Sequence, residues 1–97
     1  MKTPKTIADC RALSKAAGFH WFDRAAMRFF GTRIESGLYK NLCFVTSELN
    51  YDGKRFFNVR RFNVDDCTIS TIGEFCSITS KEEAREIARN YEPEQEG

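Results

Sequence analysis

Residues 42–91, LCFVTSELNYDGKRFFNVRRFNVDDCTISTIGEFCSITSKEEAREIARNY, decide the fold. β-branched and aromatic side chains are dense over 42–48 and 55–62, and Asp52-Gly53 between them supplies the positive-φ turn chemistry that joins antiparallel neighbours. These two strands predict a hairpin. Residues 63–66 turn the chain into a third strand over 67–75, with Gly73 inside it as a bulge or bend. Ser80 then opens a helix with Ser-Lys-Glu-Glu, a capping box in which the hydroxyl accepts a first-turn backbone N–H and Glu83 reaches back. Ala84, Ile87, Ala88 and Tyr91 follow an i, i+3, i+4, i+7 stripe that can lie on the sheet, and Pro93 ends the element.

The N-terminal half supplies a second helix. Pro4 suits a first helical position, and Thr6 with Asp9 three residues later also forms a capping-box pattern, with Gly18 as the stop. Between them Ile7, Cys10, Leu13 and Ala17 recur at helical spacing, while Lys5, Asp9, Arg11 and Lys15 lie off that stripe. Phe19, Trp21 and Phe22 follow, and Asp23 can cap a helical turn over 24–27 before Arg28-Phe29-Phe30 meets Gly31. This aromatic segment predicts a plug at one end of the core. Residues 32–36 predict a short first strand, with Gly37 as the turn. The whole predicts an α+β domain over 1–92: an N-terminal helix, an antiparallel meander of three or four strands, and a C-terminal helix packed on the sheet. Residues 93–97 are too polar to pack and predict a flexible tail.

Size and charge narrow the function. A chain of 97 residues builds one modest core and has no room for a cofactor between two lobes. Nine Phe in that length are more than one small core needs, so some rings are expected at the surface. The net charge of +1 gives no global pull toward nucleic acid or anionic membrane, so any electrostatic function must be local. No apolar h-region follows the first residues and no run reaches the roughly 18 apolar residues of a membrane span, which predicts a soluble cytoplasmic protein. Cys10, Cys43, Cys67 and Cys76 include no C-x-x-C pair, with His20 as the single histidine, so reduced thiols are expected and no metal or other cofactor. His20 beside Asp23 resembles a base with its orienting carboxylate, but no nucleophile at a strained turn accompanies it, so no enzymatic activity is expected.

Period-2 alternation divides the second hairpin strand into two faces. Arg55, Phe57, Val59 and Arg61 share one, and Lys54, Phe56, Asn58, Arg60 and Phe62 the other. With both helices on the Phe57/Val59 face, Phe56, Arg60 and Phe62 would stand only partly covered on the opposite face. Interleaved rings and cations suit a partner protein or a single-stranded nucleic acid. Cross-strand pairing and Arg stems lying over apolar surface are the structural alternative. The expected contact residues are Arg33, Lys54, Phe56, Arg60 and Phe62.

Two resemblances extend this reading. Ile72-Gly73-Glu74-Phe75 and the helix that follows resemble the strand-to-helix junction of the three-stranded DNA-binding domain of plant ethylene-response factors, across about half the chain. That family inserts its sheet into the major groove, which would make Lys54, Arg60 and Lys40 base- or phosphate-reading candidates; its strand Trp and Arg-rich first hairpin have no counterpart here. More broadly, MRFFGTRIESGLYKNLCFVTSE (27–48), RRFNVDDCTISTIGEF (60–75) and the closing Ser-x-x-Glu-Ala helix are similar to small uncharacterised accessory proteins of tailed phages and prophages. This resemblance implies a host-cell role that interferes with a defence complex, such as restriction or CRISPR surveillance, through stoichiometric protein contact. A small DNA- or RNA-binding regulator using the same strand face is the other expectation.

Overall fold

The computed structural model describes residues 3–23, 27–28, 31–73 and 77–92. Within them α1 spans Ile7–Ala16, β1 Arg33–Ile34, β2 Cys43–Leu49, β3 Arg55–Asn63, β4 Thr68–Ile72 and α2 Lys81–Asn90, with a 3₁₀ turn at Lys40–Leu42. The strands form one antiparallel sheet in the order β1-β2-β3-β4. The predicted α+β meander with a helix at each end is what the chain forms.

Local chemistry explains the elements. Thr6 Oγ1 accepts the Asp9 N–H at 3.1 Å, and Asp9 Oδ2 accepts the Lys5 N–H at 3.0 Å, so the carboxylate reaches one residue beyond the expected box. Gly18, at φ +88°, ends the segment in the left-handed region that glycine enters at no steric cost. At the hairpin tip Asn50 Oδ1 accepts the N–H groups of both Asp52 and Lys54, and Gly53 takes the positive φ. Gly73 follows the last residue of β4 at φ +77°, and residues 74 and 75 of the expected third strand lie outside the described residues. Ser80 caps α2 by accepting the Glu83 N–H. Pro93 and the tail lie outside the described residues, as do Arg24, Phe29, Phe30 and Cys76.

The helices lie on opposite faces of the sheet, and this overturns the expected open face. α2 covers the face carrying Cys43, Val45, Phe57 and Val59, where Ala84 and Ala88 are fully buried and Ile87 and Tyr91 pack at the margin. α1 and the aromatic segment cover the other face, joining Ile7, Cys10 and Phe22 to Phe44 and Phe62. Trp21 meets Phe22 and Phe44 edge-on at 4.9 and 6.0 Å between centroids. Phe62, expected at a contact surface, is 1% exposed and belongs to this second core. The α1 stripe also differs in detail: Ser14 is buried where Ala17 was expected, and Ala17 is exposed. Phe22, Phe44 and Phe62 are buried in the second core and Phe57 packs on the first, while Phe19 is 43% exposed, a ring at the surface as the sequence predicts.

Candidate functional site

The five expected contact residues separate into two groups. Arg60 and Phe62 face α1, and Arg60 is held there by polar partners. Its Nη2 lies 3.2 Å from Glu48 Oε2, an ion-pair distance without hydrogen-bond alignment, and its Nε donates to Thr46 Oγ1 at 3.2 Å. A further N–H donates to Thr71 Oγ1, and the guanidinium stacks over Trp21 at 5.6 Å from the ring centroid. Glu48 is 1% exposed, and its Oε1 accepts from Thr46 Oγ1 at 3.2 Å and from Asn58 Nδ2. This cluster is a polar inclusion in the second core. Thr46 Oγ1 donates to Glu48 Oε1 and accepts from Arg60, so the cluster compensates the buried carboxylate with both charge and hydrogen bonds. Phe56 is half-buried on the same face, opposite Glu48 in the ladder.

Arg33 and Lys54 are exposed at the other end of the hairpin, where the register assembles a basic surface. β1 places Arg33 opposite Ser47, and Leu49 pairs with Arg55 at the end of the β2–β3 ladder. A shallow groove runs there over Leu49 and Met27, bounded by Arg28, Arg33 and Arg55. Arg55 Nη1 donates to Gly31 O, Ser47 O and Ser47 Oγ at 3.0, 3.1 and 2.8 Å, binding the segment before β1 to β2. Gly31 makes that approach possible: at φ +61°, a Cβ there would sit 3.0 Å from Leu49 Cδ1.

Three cations of this end, Arg28, Arg33 and Lys54, make no side-chain hydrogen bond or ion pair among the described residues. Among the described residues no carboxylate lines the groove. Glu35, two residues after Arg33, is occupied by Arg85, whose Nε and Nη2 donate to its two oxygens at 3.1 and 3.0 Å, while Asp52 is exposed at the hairpin tip two residues before Lys54. That bidentate contact holds the Arg85 guanidinium firmly charged, its pKa raised first by the Glu35 hydrogen bond. Beside the cations, Leu49 is 39% exposed and Tyr51 fully exposed at the hairpin tip. The site therefore joins unpaired positive charge to an apolar and an aromatic side chain.

Sequence reading found Arg33 and Lys54 but missed Arg28, Leu49, Tyr51 and Arg55. Their meeting depends on the β1–β2 register and on Gly31, which two short residues of strand do not announce. His20 Nδ1 and Asp23 Oδ2 are 2.9 Å apart as their spacing suggested, and both are exposed. Among the described residues no three His, Cys, Asp or Glu side chains converge as a metal would require, and no helix is long and apolar enough to cross a membrane. Cys10 and Cys43 are buried thiols with pKa values pushed up by burial, Cys10 to about 11.

An antiparallel meander with a helix on each face and a basic hairpin end defines a small two-cored α+β protein. A model of a family of unknown function, DUF7447, matches residues 6–89, and the chain belongs to that family. Neither a curated protein nor a solved structure matches the chain.

Proposed function

We propose that this protein acts by stoichiometric binding through the basic hairpin end, and that its partner is a host defence complex such as a CRISPR effector, met in the cytoplasm of the host cell. The observation that carries the reading is that Arg28, Arg33 and Lys54 make no ion pair among the described residues, at the end of the hairpin where Leu49 and Tyr51 are exposed. Exposed cations steer an anionic partner to the surface, and desolvated apolar and aromatic anchors supply most of the affinity. The phage-like sequence blocks favour a defence complex as the partner. Catalysis plays no part in this reading, because inhibition of this kind requires only occupation of a surface.

A second reading has a specific observation behind it. The same unpaired cations would suit the phosphates of a nucleic acid, with Tyr51 available to stack on a base. Salt and nuclease separate the two. Tagged protein drawn through host-cell lysate is expected to retain a near-stoichiometric complex after nuclease treatment and to lose it gradually with salt. Recovery only of nuclease-sensitive material, with a steep linear fall of log affinity against log salt, would replace the protein-binding reading with direct nucleic-acid binding.

A further inference from the structure

The two edges of the sheet are built differently. β1 forms one edge with two residues, carries Arg33, and is followed at once by Glu35; shortness and charge are the usual protections against edge pairing. β4 forms the other edge with TISTI, five residues without a charge or a proline, four of them β-branched. It has none of those protections.

The ladder fixes which backbone groups this edge presents. With β2 on one side of β3, the Phe57 N–H donates to Ile78 O at 2.8 Å on the other side, where β4 also lies. Direction alternates along an antiparallel strand, so Val59, Arg61 and Asn63 also turn toward β4, where they face Ile72, Ser70 and Thr68. Those three residues use their N–H and C=O groups inward. Ile69 and Thr71 therefore direct theirs outward, and neither finds a partner there among the described residues.

We propose that β4 pairs with β4 of a second copy of this chain, antiparallel about a two-fold axis at Ser70, to give a continuous sheet across the dimer. In this register Thr68 stands opposite the partner's Ile72, Ile69 opposite the partner's Thr71, and Ser70 opposite the partner's Ser70. The outward groups of Ile69 and Thr71 then form the two hydrogen-bonded pairs, and the serines form the closer non-hydrogen-bonded pair between them. Every pair within the strand is Thr with Ile or Ser with Ser, so no charge meets its like and β-branched side chains pack across the join. The strand is thus complementary to itself, as an isologous interface requires. α2 packs chiefly on β2 and β3, which leaves Ser70 exposed at the axis. Five residues per chain bury far less than the ~1,200 Å² of a standard interface, so the dimer belongs to high protein concentration.

Sedimentation velocity at rising concentration, with the full chain, is expected to show a monomer passing into a dimer. Ser70→Lys should abolish the dimer by opposing two ammonium groups at the axis, while circular dichroism stays unchanged because only the Asn63 Nδ2 to Ser70 Oγ bond is lost. Ser70→Cys treated with diamide should give a disulfide-linked dimer on a denaturing gel far faster than the parent chain or Ser36→Cys, an exposed position away from β4. A monomer throughout, a dimer that survives Ser70→Lys, or Ser70→Cys cross-linking no faster than Ser36→Cys would each overturn the proposal.

Discussion

Arg60 shows how far a residue's role depends on what covers it. Strand alternation correctly places it with Phe56 and Phe62, but alternation assigns faces without saying which face a distant helix will cover. α1 and Trp21 close over it, and the cation becomes the counter-charge of buried Glu48. Removing one partner of such a pair leaves the other charged in a low-dielectric setting, so Arg60→Ala is expected to cost about 3 kcal/mol in urea unfolding. Phe62→Ala should cost ~3–5 kcal/mol by emptying the second core. If both variants instead keep parent stability, the covered face has been misplaced. Cys10 gives a pH signature. Its thiol ionises near 9.0 when unfolded but near 11 when buried, so the folded state keeps a proton that the unfolded state has lost. Stability should hold below pH 9 and fall as pH rises from 9 toward 11. Urea midpoints across that range for the parent and Cys10→Ala check this: the parent should fall more steeply, whereas parallel slopes would remove Cys10 as the cause.

At the scale of elements the sequence was most legible where local chemistry acts alone. The caps at Thr6 and Ser80, the positive-φ Gly53 and the stripe Ala84, Ile87, Ala88 and Tyr91 all depend on residues a few positions apart, and all appear as their patterns imply. Ser80→Ala should therefore lower stability by about 1 kcal/mol in thermal or urea unfolding, and an unchanged midpoint would deny the hydroxyl its capping role. Longer-range features were illegible for a definite reason. Asn50 at the hairpin tip lies two residues before the Asp-Gly signal, yet its side chain organises the loop through two backbone N–H groups. β1 is short enough that its register comes from β2 and from Arg55 fastening the preceding segment, not from its own residues. The basic groove exists only because of that register, so of its lining periodicity pointed to Arg33 alone.

For the molecule as a whole, a net charge of +1 conceals an uneven distribution. Glu48 is neutralised within a core and Glu35 by Arg85 of α2, while Arg28, Arg33 and Lys54 make no ion pair among the described residues and Leu49 and Tyr51 are exposed at the hairpin end. Local charge of this kind directs association without affecting the fold, since surface substitutions away from packed features change stability by only about 0.5 kcal/mol. The central claim is that this end is the binding surface. The measurement that tests it most directly compares the parent chain with Arg28→Glu/Arg33→Glu/Lys54→Glu in a quantitative pull-down from nuclease-treated host lysate. Both proteins are first checked for equal unfolding midpoints. The account predicts a near-stoichiometric host complex on the parent chain and at least tenfold less of it on the triple variant; equal recovery by both would place the binding surface elsewhere.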